Sequence, residues 1–157
     1  MYKPFDKKLY KENNQKAINE SKLLFEQFGY KLLSSKEAYK DWDFLVEKNN
    51  KTIPVEVEIK KVWTKQGEWQ GYSTVDIPYR KAESKAELFI MFNSLINTLL
   101  FCRMKDIINS PVDYKDTIYT KHEPFFNVEV DKFFLMEKQE NKWVHLTRGR
   151  RIPFFFH

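Results

Sequence analysis

Cysteine occurs once in this 157-residue chain, at Cys102, so no internal disulfide can staple the fold. Its setting, "NTLLFCRM", is apolar on both sides and predicts a buried, inert thiol in a reducing compartment. Histidine is scarce too, with three residues, and no Cys/His spacing suited to zinc is present. There is no glycine-rich phosphate loop and no Ser-His-Asp order. His122, in "KHEPFF", reads as a structural or solvated loop histidine rather than a base, and His145 lies in an expected strand with no partner visible in the sequence. With four glycines in all, no Gly/Pro/Ser-rich linker divides the chain, which predicts one domain over residues 1–157. Its catalytic core is expected over about 8–110, followed by a C-terminal hairpin and basic tail over 111–157. The longest apolar run is far short of a membrane span. The start, "MYKPFDKKLYKENNQ", has no apolar h-region. The expectation is a soluble protein of the cytoplasm, in a bacterial or phage-infected cell, with no membrane partner.

Aromatic residues, by contrast, are abundant. They make up 17% of the chain, with 14 Phe and 8 Tyr, which excludes a disordered polypeptide and requires a packed interior. The formal charge of +5 permits binding to nucleic acid. The positive charge gathers at Lys60-Lys61, at Arg80-Lys81 and at Arg148, Arg150 and Arg151. Trp63 and Trp69 flank a loop, where packing is the better reading and stacking on unpaired bases the other.

Local patterns predict an α/β chain with a mixed central sheet. Ala17, Ile18, Ser21, Leu24, Phe25 and Phe28 recur at helical spacing, and Gly29 suits the helix end. Glu20 lies on the flank of that apolar face. "YKLL" and "WDFLVE" read as strands, and "KNNK" as a turn leading into "TIPVEVEIKKVW". A turn at Asn49-Asn50 places Asp43 opposite Glu56, and Pro54 marks an edge or the start of a strand. "YSTVDIPYRKAESKA" reads as a short strand and one or two helical turns. "ELFIMFN" and "TLLFCRM" read as buried strands, and "KDIINSP" as a short helix. The stretch from Val112 to Pro124 reads as irregular, and "KFFLMEKQENKWVHLT" as a second hairpin.

In the third strand, Glu56, Glu58 and Lys60 alternate with Val55, Val57 and Ile59, so acids and an amine share one face. Phosphodiester hydrolysis calls for that combination. A divalent cation polarises the phosphate and activates water. Mg²⁺ takes oxygen ligands and needs few carboxylates. An amine positions the water or offsets developing charge. Asp43 on the adjacent strand, Glu20 on the helix and the Ile59 carbonyl are further candidate ligands.

Asp43, a hairpin turn and then Glu58-Ile59-Lys60 resembles the PD-(D/E)xK nuclease superfamily. "NESKLLFEQFGYKLL" followed by "DWDFLVEKNNKTIPVEVEIKK" is similar to the opening of archaeal and phage Holliday-junction resolvases. The resemblance implies a restriction-endonuclease-like fold with flanking helices. It also implies Mg²⁺ dependence, with Mn²⁺ able to substitute, and cleavage of branched or duplex DNA by a homodimer. In that scheme Asp43 and Glu58 bind metal, Glu20 completes the acidic set and Lys60 positions or activates the water. Glu56 is the reserve ligand. Lys61, Arg80, Lys81, Arg148, Arg150 and Arg151 are candidate nucleic-acid contacts.

Other readings stay open from sequence. Glu56, Glu58 and Lys60 can form the solvated face of a sheet. The chain can be another restriction, repair or processing nuclease, a non-catalytic nucleic-acid-binding module, or a protein-interaction domain.

Overall fold

The structure is a computed structural model that describes residues 7–34, 42–70, 73–117 and 121–146. Helix α1 spans Lys7–Gln27. Ala17, Ile18, Ser21, Leu24 and Phe25 are its buried stripe, and the Ser21 hydroxyl is satisfied by donating to the Ala17 carbonyl at 2.7 Å. The helix ends ahead of Gly29, whose φ of 87° is a left-handed conformation that a side chain would strain.

Three antiparallel strands follow, β1 (Lys31–Ser34), β2 (Phe44–Lys48) and β3 (Lys51–Ile59). Asn49 and Asn50 form the predicted turn, with φ of 53° and 63°. The register pairs Phe44 with Val55, so Asp43 faces Glu56 as the sequence implied. The chain then runs through β4 (Thr74–Pro78) and a 3-10 turn (Tyr79–Glu83) to β5 (Leu88–Phe92). Strand β5 lies parallel to β3. Pro54 sits one residue before that parallel ladder begins at Val55 and Leu88. Its missing N–H therefore leaves no rung unmade.

Strand β6 (Thr98–Arg103), helix α2 (Met104–Ile108), β7 (Val112–Lys115), β8 (Glu123–Glu129), β9 (Phe134–Gln139) and β10 (Lys142–His145) complete the chain. Seven strands form a mixed sheet in the order β1-β2-β3-β5-β6-β9-β10, and β4-β8-β7 form a second sheet. The described chain is thus mixed α/β with three layers.

The layering accounts for the patterns of the central strands. On one face of β5 and β6, Leu88, Ile90, Phe92, Leu99 and Phe101 join a core with the stripe of α1. On the other, Phe89, Met91, Leu100 and Cys102 pack with Trp63, Val75, Ile77 and Phe126. Strands covered on both faces read as continuous apolar runs. Burial also holds the Cys102 thiol well above its usual pKa, the inert state expected.

Two expectations are corrected. The stretch from Val112 to Pro124 is not irregular throughout, since β7 and the start of β8 pair there. Every residue of β7 is exposed, and the alternation of its four residues, VDYK, is too short a run to mark a strand. Flanking helices are also fewer than expected. Among the described residues, α1 covers one face, and the other carries the three-stranded sheet with the five-residue α2. The short strand and helical turn read in "YSTVDIPYRKAESKA" are present as β4 and the 3-10 turn, with Thr74, Val75 and Ile77 favouring the strand. No described helix is long and apolar enough to cross a membrane.

Candidate active site

The site forms where β2 runs out beside β3. Asp43 makes the last rung, its N–H donating to the Val55 carbonyl at 2.9 Å. Its side chain then curls forward, and Oδ2 accepts the Val57 N–H at 2.7 Å. Past that point no described strand covers this edge of β3. The edge borders a cleft of about 150 Å³ lined by Glu58, Ile59, Lys61, Arg80 and Lys81, with Asn13 and Asn14 from α1 opposite.

Val55 and Val57 belong to the α1 core, so strand alternation sends Glu56 and Glu58 to the opposite face. There the 3-10 turn brings in Lys81. Its Nζ donates to Glu56 Oε1 at 2.9 Å, and the Ser84 hydroxyl donates to Glu56 Oε2 at 2.7 Å. Both partners of this ion pair are largely sheltered, at 15% and 13% side-chain exposure. Burial alone would lower the Lys81 pKa, but Glu58, Glu56 and Asp43 together outweigh it and hold the ammonium above its ordinary value. One ammonium is therefore shared by three carboxylates.

Negative charge is correspondingly crowded. Burial, and next the Glu56 carboxylate, push Asp43 from its ordinary 3.8 up to about 6, against the opposing pull of the Val57 N–H and Lys81. Glu58 is the freest member. Its Oε2 is buried and has no hydrogen-bond partner among the described residues. A carboxylate oxygen without a hydrogen-bond donor and out of water is costly, and a cation would satisfy it.

A pH dependence follows from Asp43. A carboxyl whose folded pKa exceeds its unfolded value retains its proton longer in the folded state. Its contribution is thus fully present below pH ~4 and is lost as pH rises to ~6, a fall of about 3 kcal/mol for a shift of about two units. Urea unfolding in EDTA should show this slope, and Asp43→Asn should flatten it. A wild-type profile unaffected by that substitution would contradict the crowding.

The structure brings Asp43, Glu56, Glu58, Lys61, Arg80 and Lys81 together, and it places other candidates elsewhere. Glu20 is bonded to Lys138 of β9, with Nζ donating to Oε1 at 2.6 Å, while its Oε2 is buried without a hydrogen-bond partner among the described residues. The part of α1 that lines the cleft is Asn13, Asn14 and Ala17. Glu20 follows Ala17, the last of these, by three residues, about 4.5 Å further along the axis, and does not line the cleft. Lys60 does not line this cleft and instead borders a second cavity with Trp69 and Lys115. The ammonium among the acids is that of Lys81, which sequence reading had placed only among the nucleic-acid contacts. No local signal marked it, because Lys81 and Glu56 are 25 residues apart. Ser84 was missed for the same reason. Arg80 also reaches Glu123 at 3.4 Å. Arg148, Arg150 and Arg151 lie outside the described residues.

The donor set suits a hard divalent cation held through few protein ligands. Among the described residues, no three His, Cys, Asp or Glu side chains form a ready cage. Mg²⁺ commonly keeps several waters and binds through one or two carboxylates. Comparison with known proteins adds no assignment, since no family model, curated protein or solved structure matches the chain.

Proposed function

We propose that the chain is a metal-dependent nuclease with a restriction-endonuclease-like core of the PD-(D/E)xK type. The observation that carries this reading is Glu58 Oε2, a buried carboxylate oxygen without a partner, in a cleft with Lys61, Arg80 and Lys81. The topology supports it as well. An N-terminal helix packs on a β1-β2-β3 meander, and a fourth strand, β5, lies parallel to β3. The acids sit toward the carboxyl end of that parallel pair, where open α/β sheets place ligands.

In this reading Glu58 and Asp43 would hold Mg²⁺, and Glu56 remains the reserve ligand. The cation, with Mn²⁺ as substitute, supplies phosphate polarisation and a more acidic water. Lys81 takes the role first given to Lys60. It offsets the acids in the resting site and offers a positive charge to a phosphate drawn into the cleft. Lys61 and Arg80 on the rim position the nucleic-acid backbone. Glu20 drops out of the acidic set, tied to Lys138. A four-way or otherwise branched DNA junction is the first choice of substrate, and paired cuts would require a homodimer.

Labelled four-way junction, linear duplex and single strand, each incubated with Mg²⁺ or with EDTA, test the proposal. Cutting confined to the Mg²⁺ samples is the expected result. Binding without cutting in both would identify a non-catalytic nucleic-acid-binding module, with Lys81 and the acids acting as an internal tie.

A further inference from the structure

A second cavity, of about 530 Å³, opens beyond the end of β3 and is lined by Lys60, Lys65, Trp69, Thr74, Asp76 and Lys115. Its volume falls within the range of about 300–1,000 Å³ that holds small ligands. Its sign is positive. Three lysines and one acid line it, and Lys65 is also paired with Glu68 at 3.2 Å. That acid is already engaged, since Asp76 accepts from Lys115 Nζ at 2.6 Å and from Asn127 Nδ2 at 3.1 Å.

The aromatic wall is held in place from behind. Trp63 is fully buried and donates from Nε1 to the Glu68 carbonyl at 2.9 Å. Trp69 packs edge-on against it, with centroids 5.0 Å apart and an angle of 74°. The Trp69 indole N–H has no acceptor among the described residues. Thr64 and Gln70 add neutral hydrogen-bonding groups to the lining.

We infer that this cavity seats one unpaired nucleotide of the strand engaged by the neighbouring acidic cleft, with its base against Trp69 and its phosphates near Lys60 and Lys115. An aromatic platform with flanking cations is the chemistry that holds single strands. A cavity of this volume admits one nucleotide. Its location supports the assignment. The Lys60 N–H donates to the Phe92 carbonyl at 2.8 Å, continuing the β3–β5 ladder. Lys60 therefore follows Glu58 by one strand repeat, about 7 Å between Cα atoms. The inference rests on the nuclease reading of that cleft, and it narrows the substrate to branched DNA with an unpaired arm beside the cut.

The test compares a fluorescein-labelled duplex bearing a short single-stranded arm with the same duplex blunt-ended. Affinities of the full chain are read by anisotropy in EDTA. Wild type should prefer the armed DNA. Trp69→Leu should weaken armed DNA about tenfold and Lys60→Ala severalfold, while blunt duplex binding changes less than about twofold. Circular dichroism verifies the Trp69 variant's fold, and Lys60→Ala, at a half-exposed side chain, keeps the test valid if that variant unfolds. Equal losses on both DNAs, or no loss in a folded variant, would overturn the inference. So would saturation of the cavity by free dAMP together with unchanged arm binding in both variants, because the cavity would then serve a free nucleotide. Cleavage in Mg²⁺ is scored separately. Arm preference without any cutting overturns the nuclease reading alone, and cutting without an arm effect overturns the cavity assignment alone.

Discussion

Replacing Glu58 by Gln should lower Mg²⁺-dependent cleavage by about 10²–10³-fold, the scale seen when one charge-stabilising group leaves a preorganised site. The fold should survive. Glu58 Oε2 has no native hydrogen bond to lose, and the substitution preserves side-chain volume while leaving Lys81 its Glu56 and Asp43 partners. Glu56→Gln makes the informative contrast. Both Glu56 oxygens are engaged, by Lys81 and by Ser84, so that change should cost stability, about 1–3 kcal/mol for a sheltered charged partner. Measuring urea stability and cleavage for both variants separates the ligand from the tie. If Glu58→Gln destabilises and still cuts, Glu58 is structural and the principal ligand must be sought at Glu56.

The second large effect belongs to Lys81. Lys81→Met retains much of the stem but leaves Asp43, Glu56 and Glu58 without their shared counter-charge. Breaking one partner from a sheltered pair costs about 3–5 kcal/mol, and the exposures of 15% and 13% place this pair in that class. Mg²⁺ should restore part of the loss, because a cation that binds only the folded state stabilises it by mass action. Urea titrations with Mg²⁺ or EDTA give both numbers. A loss below about 1 kcal/mol would mean that solvent screens the acids. A variant indifferent to Mg²⁺ would mean that Asp43 and Glu58 do not converge on a cation.

Much of the site's framework was legible in the sequence because it depends on local rules. Asn49-Asn50 specified a two-residue turn, and the turn specified the register that sets Asp43 opposite Glu56. Alternation in "VEVEI" specified which face carries acids. The stripe from Ala17 to Phe25 specified one helix and its buried side. The errors fell where placement depends on distant parts of the chain. Glu20 shared a helix face with residues that do line the cleft, but only packing decided that its own turn of α1 meets Lys138. Strand β7 is four exposed residues, VDYK, too short for its alternation to specify a strand, and its pairing with β8 exists only in the fold.

By itself, then, the sequence determined the helix, the β2–β3 hairpin and the paired acids of β3, since periodicity and turn chemistry act over a few residues. Tertiary structure alone decided which cation meets those acids. Lys60 follows Glu58 by two positions yet borders another cavity, whereas Lys81 arrives from a 3-10 turn after β4, on the face opposite α1. The physical reason is that charge interactions depend on distance through space, and the return of the chain from β3 to β5 sets that distance.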